Sequence, residues 1–281
     1  MTLAELAVQT PGSMLLISEL AMFWSLANYA VTPDPVRETK HIPAQRLAVP
    51  RFWTVLLILR SLSIGAAALL VAGTSAGSLL LAITLAAGSL LLPIARRWWV
   101  PAEYGAELEI GATASLLILI VFCVAHWHLV ALRGWLALPF SETRKSAILL
   151  IAAIVTFNLR GATYVVRGVL NKCGALPELV VPQESSVVPR PDRVVTETTV
   201  DVVEINRGRW IGNLERILLL VIVAEASYDA IAFLMAAKGF IRSKDLENRE
   251  WAEYFLLGTL ASIAVSLVGG FAIRQIVGAF W

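Results

Sequence analysis

Residues 205–238 read INRGRWIGNLERILLLVIVAEASYDAIAFLMAAK. Basic residues and Trp210 lead into a long apolar run, the pattern of a chain entering a bilayer. Glu225 and Asp229 interrupt that run four residues apart, on one face if it is a helix. An Asp at the centre of a membrane helix costs about 2.5–3.5 kcal/mol. The fold turns on whether this stretch is one membrane helix holding a polar site, a structural ion pair, or no membrane helix at all.

Composition answers the last of these. Hydrophobic residues form 58% of the 281-residue chain and charged residues 16%, with a mean hydropathy of +0.73. A soluble domain carries about 25% charged residues, so the chain reads as an all-α, polytopic transmembrane bundle. The net charge of +2, with no basic run interleaved with aromatics, excludes a nucleic-acid partner. Cys123 and Cys173 are the only cysteines, giving neither a disulfide framework nor a zinc pattern. No metal or cofactor is expected. The N-terminal residues include Glu5 and no Lys or Arg, so the first apolar stretch reads as a retained helix rather than a signal peptide.

A membrane helix needs about 20 mainly apolar residues. That length predicts seven spans near 13–31, 52–73, 76–95, 110–132, 146–170, 211–237 and 251–273. Residues 61–95 carry no charge and as one helix would extend about 50 Å. They must fold back, and GTSAG at 73–77 is where they can. Trp53, Trp98, Trp99, Trp127, Trp135, Trp210, Trp251 and Trp281 fall near proposed span ends, where indole rings favour the headgroup level. Trp24 alone lies well inside a span.

The chain thus divides into an N-terminal bundle (1–170), a polar extramembrane segment (171–209) and a C-terminal helical hairpin (210–281). Pro177, Pro182, Pro189 and Pro191 exclude a long helix in the middle segment. VVTETTVDVVEI at 194–205 is β-branched and alternating, which predicts a strand. Such a strand either docks a partner by edge pairing or covers the ends of neighbouring helices. Arg160 and Arg167 in the fifth span are expected to snorkel toward one surface. With the N-terminus outside and the C-terminus inside, the inner regions hold twelve Lys and Arg against seven outside, the bias of a cytoplasmic membrane protein.

Glu19, Arg60, Glu225 and Asp229 are the ionisable residues read as lying deep inside the proposed spans. Counted at 1.5 Å per residue from the inner ends, Arg60 and Glu225 lie about 12 Å deep, and Glu19 and Asp229 about 18 Å. The four can therefore meet near mid-membrane. Glu225 and Asp229 sharing one proton, with Arg60 opposite, suits proton-coupled transport; the alternative is a buried ion pair that fixes helix register. Gly258, Ser262, Ser266 and Gly270 recur every four residues in the last span and form a smooth ridge for helix packing. His126 and His128 project from different helix faces, poor geometry for a shared metal. Glu103, Glu107 and Glu109 read as acids complementing a helix N-terminus. No phosphate loop, HExxH or GxSxG is present, so nothing argues for an enzyme.

The C-terminal part carries an Ile-Gly-x-Leu-Glu-Arg start, an Ala-Ala-Lys exit and a Glu-Tyr-Phe-Leu-x-Gly-Thr start to the final helix. In this order, over about 206–266, these elements resemble the end of a bacterial family of multi-pass integral membrane proteins of unknown function. The first span, LLISELAMFWSLANYA, lacks the His and Asp-Phe pair with which that family begins. The resemblance implies a bacterial inner-membrane protein and brings no activity with it. Its motif positions here are Glu215, Arg216, Lys238, Glu253, Tyr254, Gly258 and Thr259. Lys238 and Glu253 are placed to pair across the loop between the last two spans. The expected partners are the lipid bilayer and either a second copy of the chain or another membrane protein. The expected function is translocation of a small solute or ion by the mid-membrane carboxylates; the alternative is a sensor or scaffold acting through residues 171–209.

Overall fold

The charge-free stretch does fold back at its glycine. Helix α2 (Arg51–Ala72) ends at Gly73, whose φ of +82° suits glycine, and α3 (Ala76–Ile94) begins behind it. Ser75 caps α3 by accepting from the Ser78 amide at 3.2 Å, and the Ser78 hydroxyl donates back to the Ala72 carbonyl at 2.7 Å. These come from a computed structural model that describes residues 11–30, 51–131, 139–174, 202–241, 243 and 249–280.

The first apolar segment is helix α1 (Pro11–Ser25), continued by a π-turn at Leu26–Ala30. Every residue from Met14 to Ser25 except Met22 is buried. A helix apolar on all sides is satisfied only when enclosed, and α1 packs against α2, α4 and α5. α3 contains Pro93 and widens into a second π-turn, Ala95–Trp99. Helix α4 (Gly105–His126) follows a short 3₁₀ turn. Then come α5 (Glu142–Thr156), a third π-turn (Phe157–Gly161) and α6 (Ala162–Lys172), which form one continuous rod. The C-terminal helices are α7 (Val202–Ala224), α8 (Asp229–Ile241) and α9 (Arg249–Phe280).

Contacts at the ends set the directions. The Ser13 hydroxyl donates to the Leu129 carbonyl just past α4, while Tyr29 reaches Glu109 near the start of α4, so α1 and α4 are antiparallel. Gly168 of α6 lies against Ala106, and Gly258 of α9 against Leu170. Further along, Gly269 faces Ile154, so α9 runs back toward the end where α1 begins.

Among the described residues, five helical stretches are long and apolar enough to cross a membrane: Val55–Ala72, Ala76–Ile94, Gly105–His126, Glu142–Lys172 and Ala252–Phe280. The two other expected spans are not among these five. Of the first, 13–31, the described residues form α1 and its π-turn, enclosed by their neighbours and running antiparallel along α4 from Leu129 to Glu109. Residues 211–237 are two helices, because α7 stops at Ala224 and Ala226 turns the chain with φ +56°. The 13-residue α8 extends about 20 Å, short of the roughly 30 Å hydrocarbon core.

The expected β segment is also corrected where it is described. The described residues contain no strand, and Val202–Ile205 open α7 instead. Residues 194–201 lie outside the described residues. The alternation of Val and Thr favoured a strand, but its last residues join the helix carried on by the apolar run behind them.

Candidate functional site

The densest polar centre inside the bundle is one that span counting does not single out. Glu109 sits in the second turn of α4 and is completely buried. Arg96, in the π-turn after α3, grips it with two bonds: Nε to Oε1, and Nη2 to Oε2 at 2.8 Å. The Tyr29 hydroxyl donates to the same Oε2 at 3.1 Å and shares a hydrogen bond with Thr113 Oγ1 at 2.9 Å. The Arg96 guanidinium carbon stacks 3.9 Å from the Tyr164 ring centroid and 5.6 Å from that of Tyr29. Phe157 packs edge-on against Tyr29 at 5.2 Å. A planar guanidinium matches a carboxylate with two parallel bonds and stacks on aromatic faces, which is how a charge pair is satisfied away from water.

Each π-turn contributes one of these side chains: Tyr29 from the first, Arg96 from the second and Phe157 from the third. A π-turn frees backbone carbonyls and re-aims side chains, and such turns collect at functional positions. The reading of Glu109 as an ordinary helix-starting acid is therefore corrected. Glu107 does behave that way: it is exposed and pairs with Lys172 at the end of α6. Glu109 differs by lying one half-turn deeper, where the helix already faces the bundle. That depth was the available signal.

Arginines do a second job in this fold, capping carbonyls where helices depart from α geometry. Pro93 has no N–H to give the Ser89 carbonyl four residues earlier, and Arg60 Nη2 donates to it instead. Arg96 Nη1 reaches the Asn28 carbonyl in the first π-turn at 3.5 Å. Arg216 Nη2 reaches the Leu159 carbonyl in the third at 3.4 Å, together with Thr163 Oγ1 at 3.1 Å and Asn213 Oδ1.

The four ionisable residues expected to meet mid-membrane divide into two pairs. Glu19 of α1 and Arg60 of α2 are buried, at 2% and 9% exposure, on helices that pack together. Glu225 and Asp229 are exposed at the turn between α7 and α8, where Asp229 opens α8 and complements its N-terminus. Tyr228 of that turn accepts from Arg274 Nη1 at 3.0 Å. The depth count failed for this pair because it assumed one continuous helix.

Among the motif positions, Lys238 pairs with Glu215 at 2.5 Å and lies 5.3 Å from the Phe255 ring centroid. The pair ties α8 to α7, the hairpin one step earlier in the chain than the expected Lys238–Glu253 closure. Arg216 and Thr259 are buried; Glu253 and Tyr254 lie in the first turns of α9. Along the ridge, Ser262 and Ser266 are buried, Gly258 faces Leu170, and a Cβ at Gly270 would lie 2.5 Å from Val223 Cβ. The smooth face of α9 is thus where α6 and α7 approach. Among the described residues no group of three or more His, Cys, Asp or Glu is placed to hold a metal. His126 stacks on Phe122 and packs edge-on to Trp127.

No family model matches the chain, and neither a curated protein nor a solved structure matches it. What the described residues define is an all-helical fold with five helices apt for a membrane and one charge pair sealed in its interior.

Proposed function

We propose that the chain is a non-enzymatic protein of the bacterial cytoplasmic membrane that passes a proton or small ion through its N-terminal helices, with Glu19 as the exchanging carboxylate. The observation that carries this reading is the near-complete burial of Glu19 midway along α1, itself enclosed by its neighbours. A carboxylate enclosed among membrane helices is by default a functional-site hypothesis, ion paths and proton relays being among its uses. Arg60, on the adjoining α2, is buried as well. Glu225 and Asp229, exposed at a turn, drop out of the path. Tyr29 and Lys172, which lead toward the Lys- and Arg-bearing stretches 31–51 and 172–209, lie at the Arg96 end, which the charge bias assigns to the cytoplasm. The start of α1 and the end of α9 then lie outside.

The test is proton flux in proteoliposomes carrying a pH-sensitive dye. Wild type should dissipate an imposed gradient faster than empty vesicles, and Glu19→Gln should remove the excess while the protein still inserts. Equal flux in wild type, Glu19→Gln and empty vesicles would sink the proposal.

A second reading is favoured by one observation: Tyr29 and Lys172, which lead toward the long polar stretches 31–50 and 175–201, lie at the same end of the bundle beside Glu109 and Glu107. Those stretches suit a partner scaffold. Replacing 175–201 by a Gly/Ser linker would then abolish the cellular phenotype while leaving insertion and vesicle flux unchanged.

A further inference from the structure

Between α7, α8 and α9 lies a cavity of about 10 Å³. Polar side chains from all three helices line it: Glu215 of α7, Lys238 of α8, and Thr259 and Ser262 of α9. The rest of its lining is apolar. That volume holds one water and nothing larger.

The two hydroxyls set this cavity apart. A Ser or Thr inside a helix can satisfy its hydroxyl on the carbonyl four residues earlier. Ser61, Ser63, Thr84, Ser146 and Thr156 all do so at 2.8 Å. Thr259 and Ser262 do not, and they make no other hydrogen bond among the described residues, although they are only 5% and 8% exposed. Their oxygens keep accessible surface, unlike that of Ser266 one turn further on, which is sealed. That surface opens on the cavity they line. A hydroxyl left unbonded in the interior is costly, so both require a partner from within the cavity.

Charge narrows what that partner is. Lys238 donates to Glu215 at 2.5 Å, and both are largely buried. The ammonium repels a metal cation and the carboxylate repels an anion. The pair admits a neutral molecule that both donates and accepts, and the volume leaves water.

We propose that one ordered water occupies this cavity. It accepts from the Lys238 ammonium and one of the two hydroxyls, and donates to the Glu215 carboxylate and the other hydroxyl. The Lys238–Glu215 pair ties α8 to α7, and the water ties both to α9. α8 depends on such links because it has no buried residue of its own.

Crystal structures of the full chain grown from lipid, at a resolution that shows ordered water, test this. Wild type should show one peak at hydrogen-bond distance from Lys238 Nζ and the two hydroxyl oxygens, with no anomalous signal after thallium soaking. No peak, a peak carrying thallium, or hydroxyls turned back onto the Phe255 and Gly258 carbonyls would overturn the proposal. In detergent solution, X-ray pulse radiolysis reads the same water through Met235, which lines the cavity, because radicals formed from a bound water oxidise the adjacent thioether. Ser262→Val, which fills the cavity with methyl groups, should lower Met235 oxidation severalfold. Ala264→Val, at an exposed α9 position away from the cavity, should leave it unchanged. Equal oxidation in wild type and Ser262→Val would also overturn the proposal. If that variant does not fold, Thr259→Val is read in its place.

Discussion

Arg96 and Glu109 are joined by two parallel bonds at side-chain exposures of 7% and 1%, the most completely sealed ion pair in the described bundle. Removing one member of such a pair strands the other charge away from water, at a cost of about 3–5 kcal/mol, whereas apolar replacement of both is often neutral. Arg96→Met and Glu109→Leu should each lower the thermal midpoint in detergent strongly. The double variant should recover most of the loss. Additive losses in the three-variant cycle would show that the pair is not coupled.

The break at Ala226 alters how often the chain crosses the membrane. With α7 and α8 forming a hairpin in place of one span, the start of α1 and the end of α9 lie at the same end of the bundle. Reporter fusions to the two termini should therefore give the same compartment. A cysteine at position 225 should react with an impermeant maleimide added on that side. Opposite reporter signals would restore a single span over 211–237.

Close backbone approach makes Gly168 intolerant of substitution. A Cβ there would lie 2.2 Å from the Ala106 backbone nitrogen, whereas Gly278 has nothing within 4 Å. Gly168→Ala must push α4 and α6 apart and should cost about 1–3 kcal/mol or more. Gly278→Ala should be neutral or stabilising by up to about 1 kcal/mol from helix propensity. Equal melting temperatures for the two variants would argue against the tight α4–α6 contact.

The Lys238–Glu215 pair, about one-fifth exposed on each side, is a test of the α7–α8 hairpin. Lys238→Glu and Glu215→Lys should each loosen the hairpin, raising protease sensitivity near 225–228. The double swap should restore protection. A swap that fails to restore it while both singles expose the turn would assign Lys238 to a different partner.

How much of this was legible in the sequence varies element by element. The α2–α3 hairpin was plain, because a long charge-free run must fold back and GTSAG supplies the only break. Its boundaries follow from apolar length to within a residue or so, whereas α5–α6 starts four residues before the expected span and α9 runs seven beyond it. The α7–α8 break was hidden, because Glu225–Ala226–Ser227 contains neither Gly nor Pro and the run stays apolar on both sides. The Arg96–Glu109 site was invisible for another reason. Its members come from two helices and three π-turns, and no local spacing announces that a helix will widen. Arg60 was expected opposite Glu225; in the fold it donates to the Ser89 carbonyl that Pro93 leaves free four residues before it, a relation the sequence does contain.

A π-turn holds one residue more than the α-helical turn it replaces. Deleting a single residue within Leu26–Ala30, Ala95–Trp99 or Phe157–Gly161 would let the segment relax to an ordinary turn without rotating the helix beyond it. Elsewhere the same deletion would swing every later side chain by about 100°. The chain thus carries three places where its length can change while its framework stays in register, and all three surround the same buried pair. The ring of residues around Arg96 and Glu109 is where this bundle has room to vary without being rebuilt.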